Sequence, residues 1–236
     1  LARAGVLSSA QESSIVIDYL RNPRGWRIDI SDLSFDERLL LRGSLRHDDL
    51  GTQVAWDFDA DRLDLGALGP WTGVWREGAE WTRMAGRSGG IVEGLVVRVR
   101  TGEQASGYSL RARLQDVGLR ADRNFGIAGI SGVLSADESG GQLQLDDRPV
   151  ALDLPAALEA PLPFSRLGAD LRWRREADGW RVIAERLDWA LASLGGSGRF
   201  TLQLPDAEGA SPVLDLDASL AAGNALDARP YMPRHW

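Results

Sequence analysis

The stretch DGWRVIAERLDW, residues 178–189, has a close counterpart in RGWRIDISDLSF, residues 24–35. Both copies place Gly-Trp-Arg ahead of alternating apolar and polar residues, and their glycines are 154 positions apart. Because successive side chains of a β-strand point to opposite faces of a sheet, Trp26, Ile28 and Ile30 would share one face. The second copy repeats this alternation. The repeated unit is therefore predicted to be a strand with one apolar face.

The same period of two continues through most of the chain, and Gly, Asp, Asn and Pro interrupt it at the spacing of hairpin turns. We therefore predict an all-β, mainly antiparallel fold. Residues 71–84 are an exception, because Trp and Val recur there near helical spacing after Pro70, which predicts a short amphipathic helix. The final residues, 226–236, are predicted to begin a second short helix or a cap.

The repeated unit suggests an array in which neighbouring copies stack. We divide the chain into a first β repeat, residues 1–85, which includes the helix near 71–84, and a second continuous β segment, residues 86–236. A sheet this long has one apolar face and little helix to cover it, so it can adopt three architectures. It closes into a barrel, folds into a sandwich, or curls into an open trough.

Composition excludes several classes of function. The net charge of -7 and the pI near 5.0 argue against a nucleic-acid binder, which needs an excess of basic residues. The chain has no Cys, so disulfides, thiolate chemistry and Cys-based zinc sites are excluded. No signal pattern and no apolar run of about 18 residues is present, and the chain does not begin with Met. We expect an interior segment of a longer protein.

Candidate catalytic and metal-binding groups are few, and we expect no catalytic residue, no metal site and no cofactor. His47 and His235 are the two histidines, and the motif RHDDL predicts that His47 lies in a solvated turn. Asp57, Asp59 and Asp61 alternate as in a calcium loop, but the Gly and the bidentate Glu of such a loop are missing.

The nine Trp residues are open to two interpretations. Exposed Trp and Asp on a sheet are typical of a carbohydrate-binding surface. However, Trp26, Trp56, Trp173, Trp180 and Trp189 share the phase of aliphatic residues on their strands, which favours a buried or lipid-facing position. A carbohydrate-binding domain and a purely structural β-sandwich, whose apolar faces pack against each other, remain the alternatives.

The order of several short motifs carries a family resemblance. LQDVGLR is followed by GISGVL, GGQLQLD, LDLP, PLPF, LRWRREADGWRV and finally ARPYMP. In this order the chain resembles the YhdP branch of the AsmA-like proteins of Gram-negative bacteria, closely over residues 86–236. Residues 1–85 resemble a preceding part of the same array.

The resemblance implies an elongated, curled sheet with an apolar inner face, and so selects the open trough. It also implies a periplasmic protein that an N-terminal helix, outside this chain, anchors in the inner membrane. Such a protein would shield phospholipid acyl chains during transport between the inner and outer membranes. The implied partners are phospholipid, the inner membrane and outer-membrane components, without nucleic acid.

On this interpretation the large apolar residues in phase with the repeated motif would line the groove. They are Trp26, Ile28, Ile30, Leu41, Val54, Trp56, Val97, Val99, Leu110, Ala112, Leu143, Leu145, Leu171, Trp173, Trp180, Val182, Phe200, Leu202, Leu214 and Leu216.

Overall fold

Twelve β-strands make up the regular structure of the described chain. The computed structural model describes residues 13–35, 38–67, 88–102, 106–120, 125–155, 161–207 and 209–223. The strands are β1 (Ser13–Asn22), β2 (Gly25–Phe35), β3 (Arg38–Asp49), β4 (Gln53–Asp64), β5 (Ser88–Gly102), β6 (Gly107–Arg120), β7 (Gly126–Asp137), β8 (Gly140–Asp153), β9 (Leu162–Glu176), β10 (Gly179–Leu191), β11 (Leu194–Pro205) and β12 (Val213–Ala222).

The strands form one antiparallel sheet in which each strand neighbours the next in sequence order, from β1 to β12. In the described residues β1 and β12 do not pair with each other, so the sheet is not closed into a barrel. The predicted fold class, an all-β, mainly antiparallel open sheet, is confirmed. The predicted helix at 71–84 and the predicted helix or cap at 226–236 lie outside the described residues.

The chain divides into two compact units. The first comprises residues 1–114 and 135–138, and the second comprises residues 115–134 and 139–236. The boundary predicted near residue 85 concerns the sequence repeat rather than compactness, and it stays a prediction.

The glycine of the repeated Gly-Trp-Arg motif is fixed by a close approach of backbone. A Cβ on Gly25 would lie 2.0 Å from the carbonyl oxygen of His47 in β3. In the second copy a Cβ on Gly179 would lie 2.2 Å from the carbonyl oxygen of Leu204 in β11. Both distances are far inside van der Waals contact. Each motif therefore needs glycine where the strand begins, directly before its Trp.

Both copies of the motif also carry a β-bulge at the same place. The register of β2 shifts between Ile30 and Leu33 against β3, and that of β10 shifts between Ala184 and Leu187 against β11. A bulge adds one residue to a strand and so changes which side chains face inward. After the bulge, Leu33 and Leu187 point to the same face as the Trp of their motif.

Candidate functional site

In the first unit, aromatic side chains line up across neighbouring strands. Trp26, His47, Trp56 and Val99 are directly opposite one another in β2, β3, β4 and β5. The Trp26 and His47 rings are stacked with centroids 5.6 Å apart, and His47 and Trp56 meet edge to face at 4.5 Å. Directly opposed residues of an antiparallel pair share a face. We call the face that carries this row the apolar face of the first unit.

Further rows continue this apolar face away from the turns that follow β1 and β3. The row next to the aromatic one aligns Ile28, Leu45, Phe58 and Val97, and the following rows align Ile30 with Gly43, Ala60 and Leu95, and Leu33 with Leu41, Leu63 and Val92. Each row crosses four strands, so the apolar side chains form a continuous surface.

The second unit has an apolar face of its own, built in the same way. The β8 to β12 register aligns Leu143, Leu171, Ala184, Phe200 and Leu216. The adjoining rows align Gly141 with Trp173, Val182, Leu202 and Leu214, and Leu145 with Ala169, Leu187, Gly198 and Ala218. Again the surface is continuous from strand to strand.

The register therefore brings together most of the residues that the sequence predicts for the groove. Those on the apolar face of the first unit are Trp26, Ile28, Ile30, Leu41, Val54, Trp56, Val97 and Val99. Those on the apolar face of the second unit are Leu143, Leu145, Leu171, Trp173, Trp180, Val182, Phe200, Leu202, Leu214 and Leu216.

The remaining two predicted residues, Leu110 and Ala112, lie in β6. Leu110 is half-buried and Ala112 is buried, whereas Arg111 and Arg113 between and after them are exposed. They follow the alternation that the sequence predicts. Contact of any of these residues with a lipid stays a prediction.

The apolar faces are incompletely covered. In the described residues the apolar faces bury Ala60, Ala169 and Ala184 as well as Val92, Leu95 and Leu145, whereas other large side chains on these faces keep part of their surface exposed. Trp56 retains 37% of its surface exposed, and Leu214 and Leu216 retain 58% and 55%. A closed domain normally buries such residues in a packed core. This surface instead leaves large apolar side chains in reach of a ligand.

The opposite face of the first unit, which we call the polar face, is a ladder of ion pairs. Arg100 Nη1 lies 2.7 Å from Asp57 Oδ1, and Arg98 Nη2 lies 2.9 Å from Asp59 Oδ1. Arg27 pairs with Asp29 on its own strand at 2.7 Å, and this hydrogen bond raises the pKa of the guanidinium above its ordinary value. The alternating charges of the sequence are thus neutralised within the sheet.

The second unit repeats this arrangement on its own polar face. Arg186 Nε lies 3.0 Å from Asp170 Oδ2, and Arg199 Nη2 lies 2.9 Å from Asp217 Oδ2. Exposed pairs of this kind contribute about 0–1 kcal/mol each. The charged side chains of these pairs remain exposed to solvent on the polar face.

The prediction for His47 is wrong. It lies within β3 on the apolar face, half-buried between Trp26 and Trp56, and not in a solvated turn. The strand continues through Asp49 because Asp49 N donates to the Arg24 carbonyl, and the turn comes only at Gly51, whose φ is 87°. The cross-strand partners Trp26 and Trp56 were the signal that sequence reasoning missed.

On the apolar face of the first unit, sequence reasoning also missed three residues that lie beyond a bulge. Leu33, Leu63 and Val92 align with Leu41 on the apolar face. A strict period of two counted from Trp26 or Trp56 assigns Leu33 and Leu63 to the opposite face. The extra residue of the bulge shifts Leu33 and Leu63 back to the apolar face.

In the part of the chain that the structure describes, no group of three or more His, Asp or Glu residues could hold a metal ion. Asp57 and Asp59, which alternate as in a calcium loop, instead pair with arginines of β5. The described residues also include no helix with the length and apolarity to cross a membrane.

Comparison with known proteins gives one result. The family model described as YhdP protein matches residues 1–236, the whole of this chain. Comparison with curated proteins and with solved structures gives no match. An open antiparallel sheet with continuous apolar rows agrees with the motif order that suggested the same family. The chain therefore belongs to the YhdP family, a family of AsmA-like lipid transport proteins of the bacterial envelope.

Proposed function

We propose that this chain is a segment of a bridge-like protein that shields phospholipid acyl chains on its apolar faces during transport between the inner and outer membranes. The observation that carries the proposal is the uncovered apolar surface. Rows of Trp, Leu, Val and Phe cross several strands, yet Trp56, Leu214 and Leu216 on these rows stay exposed.

The physical reason is the cost of hydrating an acyl chain. Exposing apolar chain to water costs about 0.8 kcal/mol per CH₂. A continuous apolar surface offsets most of that cost at every position along it, so a lipid can move without a large barrier. The curled trough predicted from the sequence would place this surface on its inner wall and leave headgroups in water.

The proposal places the protein in the periplasm, anchored in the inner membrane, with outer-membrane components among its partners. It gives the chain no catalytic role. A carbohydrate-binding domain would need its Trp rings on the polar face. Trp26, Trp56, Trp173 and Trp180 instead share the apolar faces with aliphatic residues such as Ile28, Val99 and Val182, so the register favours lipid over sugar.

Native mass spectrometry of the chain purified from bacterial cells, followed by lipid extraction, tests this function. We expect phospholipid to co-purify at a defined stoichiometry. An apo mass that stays unchanged after incubation with phospholipid vesicles would contradict the proposal and favour a purely structural sheet.

Two adjacent residues of β5 provide a matched pair of variants. Val97 lies opposite Phe58 on the apolar face, and Val96 lies opposite Asp59 on the polar face. Val97→Arg should abolish most phospholipid uptake in the first unit, whereas Val96→Arg should retain it, with the circular dichroism of both unchanged. Equal uptake by both variants would show that acyl chains do not lie on this face. Loss of the β-signal in Val97→Arg alone would identify Val97 as ordinary core.

A further inference from the structure

An arginine lies across from the motif Trp in both copies of the repeat, on the apolar side of the sheet. Arg21 in β1 is directly opposite Trp26, and Arg175 in β9 is directly opposite Trp180. The two arginines are 154 positions apart in the sequence, and so are the two tryptophans. Each pair lies in the last rows before a turn, where the apolar face of its unit ends.

The two arginines differ in their partners. Arg175 forms two hydrogen bonds to the carboxylate of Asp206 and lies over the Trp180 ring, 5.4 Å from its centroid. Arg21 is exposed, and in the described residues its guanidinium forms no hydrogen bond or ion pair. In the second copy the carboxylate of Asp206 therefore neutralises the Arg175 guanidinium, whereas in the first copy the Arg21 guanidinium is available to bind a ligand.

The surroundings of Arg21 combine apolar and polar groups. Trp26, His47 and Trp56 extend from it in one row, and the Nδ1 atom of His47 is buried without a partner in the structure. Asp49, on the same side of β3 as His47, accepts a hydrogen bond at 2.9 Å from the Gly51 backbone NH in the turn. Indole rings favour the boundary between hydrocarbon and water, where lipid headgroups begin.

We propose that Arg21 binds the phosphate group of a phospholipid whose acyl chains lie on the apolar face of the first unit. A guanidinium offers a planar fork of donors that matches phosphate oxygens in a bidentate manner. Trp26 and His47 pack beside the glycerol region and hold the lipid at a fixed depth. Arg21 is thus a specificity-determining residue, and this inference rests on the proposed function.

The test is a competition between two lipids with the same acyl chains. The 236-residue chain is incubated with vesicles that contain equal amounts of dioleoyl phosphatidylglycerol and dioleoylglycerol, which has no phosphate, and the bound lipids are quantified. We expect the wild type to prefer the phospholipid and Arg21→Gln to lower that preference about tenfold without changing dioleoylglycerol uptake. Arg21→Lys should retain part of the preference. Arg27→Gln, which removes a charge from the polar face of the adjacent strand, is the matched control.

The outcomes separate this inference from the proposed function. Uptake of both lipids with the same preference in Arg21→Gln as in the wild type would overturn the role of Arg21 and leave the acyl-shielding function standing. Uptake of neither lipid by the wild type would overturn both. Free glycerol 3-phosphate that competes as well as the phospholipid would show a site for a soluble anion, which would also overturn the proposal.

Discussion

At the residue scale, each position of the Gly-Trp-Arg motif has a separate physical role. The glycine admits the carbonyl of a neighbouring strand, which a Cβ would meet at 2.0 Å at Gly25. The Trp joins a cross-strand row on the apolar face. The Arg points to the polar face, where Arg27 pairs with Asp29 and Arg181 approaches Glu176 at 3.8 Å. Each position of the motif thus meets a different requirement in both strands.

Gly25→Ala should destabilise the chain by about 1–3 kcal/mol, because the new Cβ forces β2 and β3 apart where the His47 carbonyl now lies. Urea unfolding followed by circular dichroism measures the loss. Gly89→Ala is the matched control, since a Cβ at Gly89 of β5 meets nothing within 4 Å. An equal loss in the two variants would mean that the close approach at Gly25 is not what requires glycine.

His47→Phe should preserve or slightly raise the free energy of unfolding, by up to about 1 kcal/mol. Phe keeps an aromatic ring between Trp26 and Trp56 and removes the Nδ1 atom, which is buried without a partner in the structure. His47→Ala, which removes the ring, should lower stability instead. Urea midpoints of the two variants compare these effects. A marked loss in His47→Phe would show that a ring nitrogen of His47 makes a needed hydrogen bond.

At the element scale, period-two alternation predicted the strands but not their bulges. The sequence indicates that Trp26, Ile28 and Ile30 share a face, and the register places them so. It does not indicate that Leu33 joins them, because the extra residue of a bulge depends on how β3 pairs with β2. His47 was missed for a related reason. Local composition favours a turn, whereas pairing with two neighbouring strands extends β3.

Ion pairs between strands β4 and β5 should contribute little to stability. Arg98 contacts both Asp57 and Asp59, but about a third of its side chain is exposed, so Arg98→Gln should lower the free energy of unfolding by less than about 1 kcal/mol. Added salt should shrink the difference because it screens the pair. Arg199→Gln is the control, since its pair with Asp217 is far more exposed and should contribute nothing measurable. A large, salt-independent loss at Arg98 would indicate a packing role.

At the scale of the whole molecule, each compact unit carries its own continuous apolar surface. The first is built on rows through Phe58 and Val97, and the second on rows through Val182 and Leu202. The family, the open sheet and the apolar rows were all predictable from motif order and alternation. The pairing of Arg175 with Asp206 was not, because Asp206 lies 31 residues away and comes beside Arg175 only when β9, β10 and β11 align.

Lipid uptake should therefore divide between the units. Val97→Arg should remove the lipid bound by the first unit and Val182→Arg the lipid bound by the second, since each change puts a charge on an apolar row. Native mass spectrometry of the two variants and of the double variant would count bound phospholipids. We expect each single variant to retain part of the wild-type stoichiometry and the double variant to retain little. A single substitution that removes all bound lipid would contradict this division of lipid uptake between the units.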